Sequence, residues 1–356
     1  MSYTHSSIRI NAREIQVTDI LSRAINPGSA FEEHTFSFIK SWLQGAEEFT
    51  LTTSGSTGPP KKITLTRTQL EQSAQRTIKA LALSSNHAAL VCLDTRYIAG
   101  KMMLVRALEA NMKIVAVEPA SDPVQKLSVN HQPDFAALVP LQLETIFSDP
   151  VSLQKIQLFK TVILGGAAAS QSLKAKIKTL RPAVYATYGM TETVSHIALQ
   201  RLNGPDAQDH FETLPDVKIK TDERDCLVIE LPGFNETIIT NDLVKRIDDS
   251  HFEILGRYDT IINSGGVKLV PETIERKIEP LLINQSFFVA GIADDRLGQK
   301  LILLIEGGQH QTLPAALKLA LSAYEVPKKI VYLNQFIRTG TGKINRPKTL
   351  ELLSGL

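Results

Sequence analysis

Between residues 88 and 187, short apolar runs alternate with stretches whose apolar positions recur every three or four residues. The runs Ala88–Leu93, Lys113–Val117, Phe135–Val139, Thr161–Leu164 and Ala183–Thr187 predict strands covered on both faces. The stretches Ala99–Asn111, Pro140–Phe147 and Ser170–Thr179 predict helices that cover them. Such an alternation builds a mainly parallel sheet, and ligands bind at the carboxyl ends of its strands. Two loops of small and polar residues fall at such ends: Gly165-Gly166-Ala167 after Leu164, and Tyr188-Gly189-Met190-Thr191-Glu192 after Thr187.

The flanks of this block carry other patterns. Ahead of it come a strand over Ser7–Ile10, helices around Val17–Ala24 and Phe31–Leu43, and a helix over Thr68–Ala82 capped by Thr68. Beyond Phe211 the segments Val217–Ile219, Cys226–Leu231, Thr237–Thr240, Leu243–Asp248 and Phe252–Leu255 predict short antiparallel strands. Then the texture becomes α+β: a helix over Pro271–Ile278, strands over Gln285–Ile292 and Lys300–Ile305, a helix over Thr312–Leu321, a strand over Lys329–Val331 and a short last helix. The expected fold is α/β. A large N-terminal domain, residues 1–257, holds mainly parallel sheets plus a β subdomain, and a small α+β C-terminal domain covers residues 258–356.

One stretch stands apart in chemistry. Leu51 to Thr66 reads LTTSGSTGPPKKITLT, a strand, a tight loop and a second strand. Its glycines let backbone N–H groups approach an anion, and the hydroxyls of Thr53, Ser54, Ser56 and Thr57 add donors. Lys61 or Lys62 brings positive charge, so the loop suits a polyphosphate. It is not the common nucleotide P-loop, which would need glycine where Pro60 stands. A Ser/Gly-rich hairpin linker is the plain alternative.

The formal net charge of +2 over 356 residues argues against nucleic acid or anionic lipid as a partner. Cys92 and Cys226 lie in apolar runs and suggest buried thiols, not a disulfide or a metal site. The start has no apolar leader pattern and no stretch approaches a membrane span, so a cytoplasmic location is expected.

Four motifs stand in one order: TSGSTGPPKK at 53–62, YGMTET at 188–193, TNDLV with GRYDTIINSGGVKL at 240–244 and 256–269, and RTGTGKINR at 338–346. Together they resemble the adenylate-forming superfamily of acyl-CoA ligases, luciferases and peptide-synthetase adenylation domains. The resemblance implies that ATP with Mg²⁺ activates a carboxylate as its adenylate, and that a thiol, usually coenzyme A, then displaces AMP. It implies phosphate binding by Thr53, Ser54, Gly55, Ser56, Thr57, Gly58 and Lys61, and an adenine pocket of Gly165, Gly166, Ala167, Tyr188 and Gly189. Thr191 would meet the α-phosphate, Glu192 the metal ion, Asp242 with Arg257 the ribose, and Lys343 the developing charge. Asp259 matches the hinge about which such enzymes rotate their C-terminal domain, and Ser264, Gly265 and Gly266 match the turn beside the coenzyme A channel.

Within the superfamily, YGMTETVSHIAL (188–199) and YIAGKMMLVRAL (97–108) resemble the ligases that act on o-succinylbenzoate in menaquinone biosynthesis. That likeness implies an acyl pocket walled by Tyr97 and Ser195, with Lys101 and Arg106 for the acid's distal carboxylate. The sequence departs from the pattern where Tyr97 replaces a histidine, Ala99 a serine and Lys62 a glycine. The segment before the phosphate loop is short for the family, so a reduced N-terminal subdomain and a homodimer contact at the face it would cover are expected. Other readings stay open: a carrier-protein thiol as acceptor, or a nucleotide-binding scaffold without activity. Taken singly, Glu192 would be a solvated carboxylate, Lys343 a surface lysine, Arg257 with Asp259 an exposed ion pair, and His196 a packed residue without catalysis.

Overall fold

The structure, a computed structural model, describes residues 7–11, 13–52, 62–128, 132–234, 236–283, 285–309, 311–338 and 344–355. The chain forms two compact units, one of Met1–Ile219, Ile229–Ile238 and Ile247–Phe252, the other of Lys220–Val228, Ile239–Arg246 and Glu253–Leu356. No described helix is long and apolar enough to cross a membrane.

The first unit opens with β1 (Ser7–Ile10), β2 (Arg13–Gln16), α1 (Val17–Ser22), α2 (Ala30–Leu43), β3 (Glu48–Thr52), β4 (Lys62–Thr66) and α3 (Arg67–Ala80). It continues with β5 (Ala88–Val91), α4 (Ile98–Glu109), β6 (Lys113–Ala116), β7 (Phe135–Leu138), α5 (Pro140–Ser148), α6 (Pro150–Ile156), β8 (Thr161–Leu164), α7 (Gln171–Ile177), β9 (Ala183–Gly189), β10 (His196–Arg201) and β11 (Phe211–Thr213). Its sheet runs β2-β1-β6-β5-β7-β8-β9-β10-β11. The pairs from β1 to β9 are parallel, while β9-β10 and β10-β11 are antiparallel. Strands β5 and β7 are buried along their whole length, which is why they read as unbroken apolar runs. After β5 the chain steps first to β6 and then to β7 on its other side. That reversal of strand order opens a crevice at the carboxyl ends of β5 and β7.

Strands β3 and β4 form a separate hairpin, paired from Glu48↔Thr66 to Thr52↔Lys62, with residues 53–61 between them. The hairpin is fixed by aromatic packing: Phe49 lies 5.3 Å from Phe38 and 5.4 Å from Trp42, and the Arg67 guanidinium stands 4.1 Å over Trp42. Helix α3 starts at Arg67 and is capped by Thr66, not Thr68. Thr66 and Gln69 form a reciprocal capping box, and the hairpin ends on that threonine.

The second unit takes in parts of β12 (Lys218–Thr221), β13 (Cys226–Glu230), β14 (Ile238–Arg246) and β15 (His251–Arg257). It then holds β16 (Ile262–Ser264), β17 (Val267–Leu269), α8 (Pro271–Ile278), β18 (Phe287–Asp294), β19 (Gly298–Glu306), α9 (Leu313–Ala320), β20 (Lys329–Leu333) and α10 (Arg346–Glu351). Its sheet centres on β19, antiparallel to β18 and parallel to β20. Leu301, Leu303 and Ile305 pack with α8 and α9 on one face, while Ile302 and Leu304 meet Phe288 and Phe336 on the other. The two strands expected over Thr237–Asp248 are one, β14.

Candidate active site

The loops at the ends of β8 and β9 are shaped by close backbone approach. Gly165 N–H donates to the Leu138 carbonyl at 3.0 Å, and Thr187 Oγ1 donates to the Leu164 carbonyl at 2.9 Å. A Cβ on Gly165 would stand 2.9 Å from Thr187 Oγ1, and Gly166 takes φ +81°. Gly166 and Ala167 are thereby left exposed at the rim. Gly189 is more constrained: a Cβ there would lie 2.4 Å from the Ser195 carbonyl oxygen and the His196 Cα, so only glycine lets β9 and β10 pair at that point.

Thr191–Thr193 is one turn of 3-10 helix. Thr191 is half-buried and the Glu192 side chain is exposed. Thr193 is the hub of this turn: its Oγ1 accepts from Met190 N–H at 3.0 Å and lies 2.7 Å from the Ser195 carbonyl. Between them Val194 adopts φ 68° and ψ −55°, a tight γ-turn geometry that a β-branched residue holds only under strain. Tyr188 is 9% exposed, edge-on to Phe252 at 5.4 Å and 6.0 Å from Phe211.

Arg106 and Ser195, 89 residues apart in sequence, meet in the interior. Arg106 Nη2 donates to Ser195 Oγ at 2.7 Å. The guanidinium is 2% exposed, its Nε has no partner, and burial pulls its pKa down to about 9. Among the described residues no carboxylate pairs with it. A buried cation without a counter-charge opposes folding and is the kind of group a ligand's anion neutralises.

Lys101 is not brought to the same place. Five residues turn a helix by about 140°, and Lys101 leaves α4 on another side. There its Nζ donates to the Arg96 carbonyl at 3.1 Å, and it lines a cavity of about 260 Å³ with His34, Phe38, Phe49, Thr95 and Arg96. Burial draws its pKa down. Tyr97, at the start of α4, is 40% exposed and lies 5.7 Å from the Arg96 guanidinium.

In the second unit Arg257 joins two other candidates. Its Nη1 donates to Asp242 Oδ1 at 3.1 Å, and Nε and Nη2 donate to the two Asp259 oxygens at 2.9 Å each. The paired guanidinium lowers the Asp259 pKa, and the carboxylate raises that of Arg257. Ser264 ends β16, and Gly265 and Gly266, at φ +58° and +82°, make the two-residue turn into β17. The flanks of residues 339–343 are tied down: Arg338 pairs with Glu306 at 2.5 Å and Arg346 with Glu275 at 2.8 Å, and Asn345 N–H donates to the Ile337 carbonyl at 2.7 Å.

Thr53, Ser54, Gly55, Ser56, Thr57, Gly58, Lys61 and Lys343 lie outside the described residues. Sequence reading takes His196 as a packed residue without catalysis, and it sits against Arg106; the same reading passes over Thr77, which sits against His196, and Thr193, which holds the Glu192 turn. Nothing in their spacing signals the first two, because the contacts span separate elements.

Comparison with known proteins agrees with this architecture. The AMP-binding enzyme family matches residues 48–225, half of the chain. The solved acyl-CoA synthetase (AMP-forming)/AMP-acid ligase II-like protein of Dyadobacter fermentans is 42% identical, covering 93% of this chain and 97% of that one, with a TM-score of 0.64. The 2-succinylbenzoate–CoA ligase of Staphylococcus epidermidis is 26% identical over 362 residues, 91% of this chain and 73% of that one. O-succinylbenzoate coenzyme A synthetase of Bacillus subtilis, solved with ATP and magnesium ion, shares the fold at 20% identity and a TM-score of 0.70, over 85% of this chain and 69% of that one. The chain belongs to the AMP-binding enzyme family, the adenylate-forming enzymes, whose acid–CoA ligase branch these relatives represent.

Proposed function

We propose that the chain is a 2-succinylbenzoate–CoA ligase serving menaquinone biosynthesis. The observation that carries the choice of acid is the buried Arg106 on Ser195, paired with no carboxylate among the described residues. 2-Succinylbenzoate has two carboxylates: the succinyl one is activated, and the ring one is left to neutralise Arg106. The relatives named for this acid support the reading.

In the first half-reaction an oxygen of the succinyl carboxylate attacks the α-phosphorus of ATP. A P–O bond forms and the bond to pyrophosphate breaks. Such a transfer is mainly positioning and charge neutralisation. Thr53–Gly58 and Lys61 hold the outer phosphates, Gly165, Gly166, Ala167, Tyr188 and Gly189 line the adenine, Asp242 and Arg257 take the ribose, Thr191 the α-phosphate, and Lys343 its growing charge. Magnesium ion, delivered with ATP, needs one carboxylate besides phosphate oxygens. The exposed Glu192 fits that need. In the second half-reaction the thiol of coenzyme A attacks the acyl carbonyl, a C–S bond forms, and AMP leaves. Residues 258–356 turn about Asp259 between the steps, bringing Ser264, Gly265 and Gly266 to the thiol channel in place of Lys343.

The test is acid-dependent ATP–pyrophosphate exchange over a panel of aromatic and dicarboxylic acids, followed by thioester formation with free coenzyme A. 2-Succinylbenzoate should give the highest kcat/KM. Equal exchange with 3-benzoylpropionate, which lacks the ring carboxylate, would refute the assignment of the acid.

A further inference from the structure

Arg106 is held from a second direction by groups that the proposed chemistry leaves unused. Its Nη2 lies 3.4 Å from His196 Nδ1 as well as 2.7 Å from Ser195 Oγ. A guanidinium donates N–H bonds and accepts none, so toward Arg106 the Nδ1 acts as acceptor, and Ser195 Oγ, 3.5 Å away, can donate to it as well. Burial, and then the charge of Arg106, hold the His196 pKa well below its ordinary value, so the ring carries one proton and that proton sits on Nε2. Nε2 is 3.1 Å from Thr77 Oγ1, and Thr77 Oγ1 is 3.3 Å from the Ser73 carbonyl. The donors thus run one way, from Arg106 to His196 to Thr77 to the backbone of α3. Thr77 is fully buried, and His196 is 7% exposed. The chain of bonds also links three separate elements, since Arg106 is on α4, His196 opens β10 and Thr77 lies on α3. The absent Cβ of Gly189 sets how closely β9 approaches His196, and with it the place of the ring.

We propose that His196 and Thr77 are positioning residues for the acid site: they fix the orientation of the Arg106 guanidinium, and so set the preference for acids with a second carboxylate over monocarboxylic acids. The proposal rests on the reading of Arg106 given above. Neither residue touches the reacting atoms, so the effect belongs in KM for the dicarboxylic acid and not in kcat.

Pyrophosphate exchange with 2-succinylbenzoate and with 3-benzoylpropionate tests it. His196→Leu should raise KM for the first acid by about tenfold or more, with kcat within about twofold and KM for the second acid unmoved. His196→Asn, whose Oδ1 can stand where Nδ1 stood, should restore most of the discrimination, while His196→Gln, which serves Thr77 but not Arg106, should not. Thr77→Val should weaken discrimination and Thr77→Ser return it. If His196→Leu does not fold, the comparisons of Asn with Gln and of Thr77→Val with Thr77→Ser still decide. Equal losses on both acids, or Asn behaving as Gln, overturn the positioning role. A wild type that does not distinguish the two acids overturns the reading of Arg106 and this proposal with it, and that outcome is visible before any variant is made.

Discussion

At the scale of single residues, the most consequential group is a cation in the wrong place for stability. Burial pulls the pKa of Arg106 down to about 9, below its ordinary value in water. Between those values the unfolded chain binds more protons than the folded one, so stability rises with pH across that window, and below it the burial of the charge opposes folding. Arg106→Met removes the charge and keeps most of the volume. We expect it to stabilise the ligand-free protein at neutral pH by on the order of 1–4 kcal/mol, read as a higher denaturant midpoint, while the proposed preference for 2-succinylbenzoate disappears. The same ionisation has a binding signature. On the proposed reading the charged form takes the ring carboxylate, so KM for 2-succinylbenzoate should climb as pH is raised through about 9, whereas KM for 3-benzoylpropionate should stay flat there. A flat profile for both acids would mean that Arg106 does not meet the substrate. The residue and its partner Ser195 were each legible as candidates from the family likeness. What no single stretch could show is that they touch, that Lys101 does not join them, and that His196 completes the set.

At the scale of elements, local signals were clearest where one stretch of chain decides the outcome. Helix α8 spans Pro271–Ile278, bounds readable from proline at its first turn and apolar Ile274 and Ile278. Misreadings came where a partner decides. Thr66 and Thr68 are both plausible caps, and the hairpin register selects Thr66. Asn241-Asp242 looks like a turn, yet β14 runs through it, with Arg224 Nη1 on Asn241 at 3.0 Å and Arg257 on Asp242. Helix α6 went unread although Asp149 caps it through Ser152 N–H at 2.7 Å. The turn of Thr191–Thr193 shows an element held by one hydroxyl. Thr193→Val keeps shape and loses the bonds to Met190 and Ser195, which should reduce stability by about 1–3 kcal/mol and lower kcat for pyrophosphate exchange as Glu192 loses its fixed turn. Unchanged kcat would separate Glu192 from the chemistry. The Gly265-Gly266 turn gives a complementary case. A side chain at Gly265 would be strained at φ +58° and press Leu297 Cδ2 at 3.2 Å. If this turn flanks the thiol channel, Gly265→Ala slows thioester formation and leaves pyrophosphate exchange alone; slowing of both steps alike would remove it from that role.

At the scale of the whole molecule, the two half-reactions make different demands on one acyl group, and the candidate residues come from both compact units. Arg106, Ser195 and Glu192 belong to the first compact unit, while Asp242, Arg257, Asp259 and the Gly265-Gly266 turn belong to the second. Four motifs in a fixed order made the family readable, because adenylate chemistry is carried by loops whose residue types are set by phosphate and metal ion. The proposed acid site draws instead on side chains from α3, α4 and β10, whose convergence is a property of packing. A hinge at Asp259 would let residues 258–356 serve both steps, and its local geometry offers a direct test. Asp259 lies in a 3-10 turn over Tyr258–Thr260, and its carboxylate is bound through both oxygens by Arg257. The pair is half exposed on both sides, so removing it should change stability by less than about 1 kcal/mol. Proline holds φ near the value of about −65° that a helical turn uses. Asp259→Pro therefore freezes the turn in a helical conformation while breaking the pair to Arg257. The half-reaction that needs the other backbone setting should slow by about tenfold or more, and the one served by this setting should not. Single-turnover measurements of adenylate formation and of its discharge to coenzyme A resolve the two rates. Rates that fall together, or that both remain at the wild-type value, would place the hinge elsewhere in the chain.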